Sequence, residues 1–98
     1  MVIIKTLKNG MLTIALDGKM DITTAPDLEK EVSSLDGVTE LIMDFEKLRY
    51  ISSAGLRVLL LAHKKMIKQG GTMKVIHVNE NVMEVMTAMG FADILTVE

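Results

Sequence analysis

The amino-acid sequence predicts a single α/β domain, in which a mostly parallel, mixed sheet begins with an antiparallel hairpin and has helices packed against it. Three observations support this fold class. The 98 residues are the length of one domain. Hydrophobic residues make up 49% of the composition, which is enough for a packed core. After the hairpin, strand-like and helix-like apolar stretches alternate, as they do in parallel α/β sheets.

The first two strands are predicted by the dipeptide Asn9-Gly10, which lies between apolar stretches at residues 2–8 and 11–17. Both residues of the dipeptide tolerate a positive φ angle, so Asn-Gly is a strong signal for a tight hairpin. In the second stretch, apolar and polar residues alternate, as in a strand with one buried face. Residues 18–21 then form a turn or a short extended link.

A first helix is predicted to begin after Thr23 or Thr24, either of which can cap it, and Pro26 suits its first turn. The helix is expected to end at residues 36–37, an Asp-Gly pair. The strand that follows, at residues 41–43, is continuously apolar, which is typical of a strand covered on both faces.

The second helix is the longest and is predicted to run from Ser52 and Ser53 to about Gln69, with a Gly-Gly pair closing it. A strand at residues 73–78 follows. Asn79 or Asn81 caps a third helix that ends at Gly90.

A last short strand is predicted at residues 94–97. The complete order is therefore β-β-α-β-α-β-α-β, and right-handed crossovers connect the parallel strands.

Composition excludes several classes of protein. Without cysteine there are no disulfides, thiolate nucleophiles or zinc–thiolate sites. A formal net charge of −2 and an aromatic fraction of 3% do not suit a nucleic-acid partner. The longest uninterrupted apolar run, from Val58 to Ala62, is far shorter than a membrane span, and the N-terminus lacks the features of a signal peptide. We therefore expect a cytoplasmic protein without membrane insertion.

No enzyme active site is expected. A nucleophile elbow needs Gly-x-Ser-x-Gly, whereas Ile51 stands in place of the first glycine before Ser53. The nearest candidate base, His63, lies about 15 Å further along the same helix, beyond hydrogen-bond reach.

No metal site or cofactor is expected either. Asp44 and Glu46 could share one face of a strand as a carboxylate pair. Because the sequence shows no third group converging on them, a polar strand exit explains them more simply. His77 is expected to be structural or solvated.

Ser52 and Ser53 mark the one position with promising chemistry, because there a parallel strand gives way to a helix. One interpretation is an N-cap, in which a hydroxyl accepts a backbone N–H bond worth ~1 kcal/mol. The other is a phosphoryl acceptor, whose phosphate would meet the positive end of the helix dipole and reverse a docking preference. The two interpretations are compatible. Gly55 in the first turn removes a side chain from the approach to this position.

The long helix also has a candidate docking face. Its inward stripe is predicted to consist of Leu56, Leu59, Leu60, His63 and Ile67. The opposite face carries Arg57, Leu61, Lys64 and Lys68. Leu61 among three cations is either an exposed apolar anchor for a partner or a lone surface leucine. Met20, in the link before the first helix, is a second candidate for an exposed partner contact, with partial burial as its alternative.

Several motifs resemble the STAS domain, the family of bacterial anti-sigma factor antagonists. The stretch LRYISSAGLRVLL at residues 48–60 resembles the family signature. Gly18-Lys19-Met20-Asp21 resembles the Gly-x-x-Asp segment before the first helix. Two further motifs fall at the family's spacing, Gly70-Gly71 before a strand and Met89-Gly90-Phe91 followed by Ile94-Leu95. The resemblance covers nearly the whole chain.

This resemblance implies a non-enzymatic regulatory switch. In the family's partner-switching systems, the unphosphorylated antagonist binds an anti-sigma factor that is also a serine kinase, and so frees a sigma factor. Phosphorylation of one serine ends that binding, and a metal-dependent serine phosphatase reverses it. The matching serine is Ser53, with Ser52 as a second candidate. Asp21 matches the acidic residue beside that serine. Partner contacts are expected from Met20, Asp21, Ser52, Gly55, Arg57 and Leu61.

One departure from the family pattern keeps an alternative open. The family's phosphoserine is commonly preceded by an aspartate, and here that position is Ser52. The loss of this carboxylate weakens recognition by the usual kinase. The alternative is a STAS docking module of a transport or other signalling complex, without serine phosphorylation.

Overall fold

A five-stranded sheet with the spatial order β1-β2-β3-β4-β5 forms the framework of the computed structural model, which describes residues 1–98. β1 (Val2–Lys8) pairs antiparallel with β2 (Met11–Met20). β3 (Glu40–Ile51), β4 (Thr72–Ile76) and β5 (Thr96–Val97) follow in parallel register. The predicted hairpin and the mostly parallel sheet are confirmed.

Three helices connect the parallel strands: α1 (Ala25–Glu31), α2 (Ser53–Lys68) and α3 (Glu80–Ala88). A short 3₁₀ turn at Phe91–Asp93 precedes β5. Because the strand order is monotonic, right-handed crossovers bring every helix to the same face of the sheet. One core cluster accordingly contains buried residues of all three helices. None of these helices has the length and apolarity needed to span a membrane.

The two sheet faces differ in what covers them. On the helix side, Leu41, Met43 and Phe45 of β3 are almost completely buried, and each such side chain contributes about 1.5–3 kcal/mol to folding. Ile42 points to the other face and lies outside the core cluster, although only 9% of it is exposed. All three residues of this run are buried, so the prediction that residues 41–43 are covered on both faces is confirmed, although no helix lies on the second face.

Several strand boundaries differ from the prediction. β2 continues to Met20, so residues 18–20, predicted as a link, pair with β3 instead. β3 likewise continues to Ile51, far beyond the apolar run at residues 41–43. The last strand is shorter than predicted and consists of Thr96–Val97 alone.

α1 ends at Glu31, earlier than the predicted residues 36–37. Ser33 contributes to this end, because its hydroxyl donates to the carbonyl of Lys30 at 2.6 Å and so competes with helix continuation. Two side chains of the α2 end bind the carbonyl groups beyond α1. Lys65 Nζ donates to Val32 O and Ser33 O at 3.2 and 3.1 Å.

The second of these side chains is Gln69. Its Nε2 donates to Leu35 O and Val38 O at 2.7 and 2.8 Å. The carbonyl groups of the segment after α1 therefore have partners at the C-terminal end of α2.

The first turn of α2 lies directly on the end of β2. Gly55 is buried, and a Cβ atom built on it would stand 2.3 Å from Met20 Cγ and 3.0 Å from Ile51 Cγ1. Met20 itself is completely buried, because it continues the inward alternation of Leu12, Ile14 and Leu16. The expectation that Met20 and Gly55 are partner contacts was wrong, since both face the core.

We expect Gly55→Ala to lower the free energy of unfolding by about 1–3 kcal/mol, because overpacking against Met20 outweighs the better helix propensity of alanine. Urea denaturation of the single variants and of the Gly55→Ala/Met20→Ala double variant measures this. In the Met20→Ala background the added methyl group should cost clearly less. An equal cost in both backgrounds would show that the contact with Met20 is not the cause.

Candidate functional site

The candidate site lies where β2 and β3 end side by side. Met20 and Ile51 are register partners, and Ser52 N donates to Met20 O at 2.8 Å. The chain leaves β2 through Asp21 and leaves β3 through Ser52. Both segments therefore emerge at the carboxyl edge of the parallel sheet, where ligand and partner sites are common in α/β folds.

The two serines have different positions and different hydrogen bonds. Ser52 is the N-cap of α2, with extended backbone angles of −99° and 173°, and its Oγ accepts from Gly55 N at 3.4 Å. Ser53 is the first residue of the helix and is exposed. Its hydroxyl takes part in none of the side-chain hydrogen bonds of the chain. The capping role therefore falls on Ser52, and the hydroxyl of Ser53 has no part in the cap.

The N-terminus of α2 is electropositive. The helix is 16 residues long and has no acidic residue in its first turn, so its dipole is not offset there. Arg57 lies one turn after Ser53 and is exposed. Its Nη2 is 3.5 Å from Oε1 of Glu29 in α1, and the two side chains are 65% and 49% exposed. An ion pair this open holds the arginine only weakly.

Asp21 organises the loop beside the serines. Its Oδ1 accepts from the hydroxyl and the N–H of Thr23 at 2.6 and 2.9 Å, and from Thr24 N at 3.2 Å. These hydrogen bonds, above all that from the Thr23 hydroxyl, lower the pKa of Asp21. A carboxyl group with a lowered pKa favours the folded state above its unfolded pKa and loses that contribution as the pH falls through its folded value.

Thr24 occupies the predicted N-cap of α1, but its side chain does not cap the helix. Its Oγ1 donates instead to Lys19 O at 2.8 Å and accepts from Asp21 N at 2.9 Å. The loop between β2 and α1 is thereby closed on itself and held in one conformation.

The exposed apolar residues differ from the expected ones. Leu61 is half-buried, so it is less exposed than an anchor on a free face should be, whereas Lys64 and Lys68 are exposed as expected. Ile67 was placed on the inward stripe of α2, yet it is 60% exposed. The most exposed large apolar side chain is Ile22, at 77%, in the loop that Asp21 organises.

Ile22 was missed by the sequence analysis. Its only signal is an isolated apolar residue in an otherwise polar turn.

A third group does converge on Asp44 and Glu46, contrary to expectation. Nδ1 of His77 is 2.9 Å from Asp44 Oδ1, and Glu46 N donates to the same oxygen at 3.0 Å. The hydrogen bond with Asp44 raises the pKa of His77. Partial burial works to raise the pKa of Asp44, but the bonds from His77 and Glu46 leave it below its ordinary value. This cluster lies away from the serines.

Comparison with known proteins identifies the family. A model described as STAS domain matches residues 3–98. BtrV of Bordetella bronchiseptica, named as a candidate anti-sigma factor antagonist, is 35% identical over 91 residues, which cover 91% of this chain and 78% of BtrV. The anti-sigma-B factor antagonist of Bacillus subtilis is 28% identical over 87 residues, covering 88% of this chain and 80% of that protein.

The fold comparison agrees. The anti-sigma factor antagonist SpoIIAA superposes in its unphosphorylated form with a TM-score of 0.80 and 17% identity, covering 99% of this chain and 87% of SpoIIAA. Its phosphorylated form, from Bacillus, gives a TM-score of 0.78 at 17% identity, covering 99% and 91%. With a mixed sheet, three helices on one face and a match over nearly its whole length, this chain belongs to the STAS domain family, whose anti-sigma factor antagonists are non-enzymatic regulatory binding proteins.

Proposed function

We propose that this STAS domain is an anti-sigma factor antagonist that works by partner switching. The unphosphorylated form binds an anti-sigma factor that is also a serine protein kinase, and so frees a sigma factor. Transfer of a phosphoryl group from ATP to the Ser53 hydroxyl ends the binding, and a serine phosphatase restores it by hydrolysis. The names of both sequence relatives support the antagonist role.

The observation that carries this proposal is that the two serines differ in their hydrogen bonds. Ser52 supplies the cap of α2, so Ser53 is not needed to hold the helix end together. The Ser53 hydroxyl is exposed and has no internal hydrogen bond to lose when it is modified. A phosphate can therefore be added and removed there without unfolding the first turn.

Phosphorylation at Ser53 would change the local charge more than the local structure. A phosphoserine adds about −1.5 to −2 charges at neutral pH. The exposed N–H groups and the dipole of α2 stabilise such an anion, and Arg57 is one turn away with only an open ion pair to Glu29. The phosphate would neutralise Arg57 and make the surface around Ser53 negative, so a partner that fits the unmodified surface is repelled.

The substitution of the family's aspartate by Ser52 is compatible with this mechanism. Aspartate and serine are equally good N-cap residues, because both offer an oxygen to the N–H groups of the first turn. Ser52 therefore performs the capping that an aspartate would perform at this position. The difference that remains is one negative charge beside the acceptor.

We propose that the partner-facing surface consists of Ile22, Asp21, Ser53 and Arg57. Asp21 leaves β2 beside Ser52, Arg57 lies one turn after Ser53, and Ile22 adds an apolar side chain on a loop that is already closed by the hydrogen bonds of Asp21 and Thr24. A preorganised loop avoids the entropy cost of fixing a mobile segment at an interface. Apolar contact at the centre and charge at the edge are the usual division in specific interfaces.

We expect Ser53→Asp to weaken binding to the anti-sigma factor of the same genome by about tenfold or more, because a charge is placed against the partner. Ser52→Asp is the matched control. It adds the same charge one residue earlier, retains the cap, and should leave binding nearly unchanged. Calorimetric titration of the purified partner with each variant measures the dissociation constants. Equal losses in both variants would show that general negative charge, not the Ser53 position, controls binding.

The same partner, incubated with ATP and the wild-type protein, should add one phosphate. Peptide mass spectrometry should locate it on Ser53, and a serine phosphatase should remove it. Phosphate found on Ser52 instead would show that Ser52, not Ser53, is the acceptor. No phosphate, in vitro or in protein recovered from the native host, would contradict the switch and favour the docking module without phosphorylation.

We expect Asp21→Asn and Asp21→Ala to differ in partner binding. Asparagine keeps an oxygen that can accept from Thr23 and Thr24, whereas alanine removes it and loosens the loop. If Asp21 acts by shaping the loop, the alanine variant loses about tenfold in affinity and the asparagine variant loses little. Equal weakening by both variants would assign the role to the charge of Asp21 itself.

We expect Ile22→Ser to weaken partner binding by about tenfold or more, since a buried isoleucine contributes about 1.5–3 kcal/mol. Ile67→Ser is the matched control, because Ile67 is similarly exposed but lies about 21 Å along α2 from Ser53. Both variants should keep the wild-type melting temperature. Similar affinities for the two variants would remove Ile22 from the partner-facing surface.

A further inference from the structure

The sheet face that carries no helices has a cluster of metal-ligating side chains, formed by Asp44, Glu46 and His77. A β-bulge in β3 adjoins this cluster. Ala15 pairs with Asp44, and two residues later Asp17 pairs with Lys47, so β3 contains one extra residue over this stretch. A bulge of this kind re-aims side chains.

The burial of the bulged residues shows the result. Phe45 and Leu48 both point into the core, and the two residues between them, Glu46 and Lys47, are both exposed. Asp44 and Glu46 share the open face by ordinary strand alternation, and the bulge brings Leu48 back to the core.

His77 reaches the cluster from the neighbouring strand. Ile76, the last residue of β4, pairs with Asp44, so the chain leaves β4 beside that carboxylate. His77 then takes a left-handed backbone conformation with a φ of 58°. Its imidazole Nδ1 consequently lies 2.9 Å from Asp44 Oδ1.

One ligand atom from each of the three residues lies within 4.8 Å of the others. Ligand atoms bound to one first-row metal ion at about 2.0–2.2 Å are at most about 4.4 Å apart, so small side-chain rotations would bring all three onto one ion. The imidazole of His77 makes this cluster chemically different from a group that consists of carboxylates alone. Carboxylates alone suit hard ions, whereas nitrogen together with carboxylate oxygen suits Zn²⁺ and its neighbours in the first transition row.

The surroundings leave the site open. The side chains of Asp44 and His77 are 23% and 55% exposed. A shallow cleft of about 110 Å³ adjoins the carboxylates and is lined in part by Ile4, Ala15 and Asp17. There is space here for water molecules on the remaining coordination positions of an ion.

We propose that Asp44, Glu46 and His77 form a binding site for a divalent transition metal ion of the Zn²⁺ type, completed by water. The ion would take the place of the proton that Asp44 and His77 share. It would tie the middle of β3 to the chain after β4, and so stabilise the folded state by mass action. The site is separate from the proposed partner switch, since Ser52, just after β3, lies about 20 Å along the strand direction from Glu46.

Titration of the chelator-treated full chain with ZnCl₂ tests this proposal. We expect saturable binding of one ion per chain by calorimetry, together with a melting temperature raised by at least about 4 °C at saturation. Glu46→Gln and His77→Asn should each raise the dissociation constant by about tenfold or more. Asparagine is the substitution of choice at residue 77, because it tolerates the left-handed backbone there.

Glu40→Gln is the matched control, since Glu40 is a carboxylate of the same strand outside the cluster, and it should leave Zn²⁺ binding unchanged. A second measurement needs no variant. Mn²⁺ added to the wild-type protein should broaden the amide signals of Asp44, Glu46 and His77 before any others.

Three results would overturn the proposal. The first is that Zn²⁺ shows no saturable binding at millimolar concentration. The second is that the His77→Asn variant binds Zn²⁺ as tightly as the wild type. The third is that Mn²⁺ broadens the amide signals of other residues first. Because neither the metal titration nor the broadening experiment involves an anti-sigma factor, their outcome is independent of the proposed partner switch.

Discussion

The close approach of α2 to the end of β2 is the contact on which the rest of the site depends. Gly55 has no side chain, so the first turn of the helix can lie directly on Met20. The hydrogen bond from Ser52 N to Met20 O joins the same two segments through their backbones. Together these contacts determine where the helix begins, where the Ser53 hydroxyl emerges, and where Asp21 starts its loop. Gly55, the glycine of the signature motif, therefore shapes the site through its packing in the core.

Much of the fold could be predicted because its determinants are local. Asn9-Gly10 produces the hairpin turn, and both residues have the positive φ angles, 52° and 82°, that such a turn requires. The caps of α2 and α3 follow from Ser52 and Asn79, each accepting a backbone N–H bond three residues on. Alternating burial in β2 follows from the alternation of residue types. Each of these features needs information from fewer than about ten neighbouring residues.

The features that were predicted wrongly depend on distant residues or on a misread local pattern. Met20 continues the period of two of Leu12, Ile14 and Leu16, but Gly18 suggested a turn and hid the signal. His77 could not be connected with Asp44, because the connection requires the register of β3 with β4 and a left-handed residue after β4. Ile22 stands out only once the structure shows that the loop around it leaves 77% of it exposed.

The end of α1 has a consequence for the order in which the chain assembles. With seven residues, this helix is too short to persist in water by itself. The groups that bind the carbonyls of the segment just after it, Lys65 and Gln69, lie more than 30 positions later in the chain. α1 can therefore become a stable helix only after α2 has formed and docked. During synthesis, α1 has these partners only once the chain has been made through Gln69, so the Asp21 loop has no settled neighbour on its C-terminal side until then.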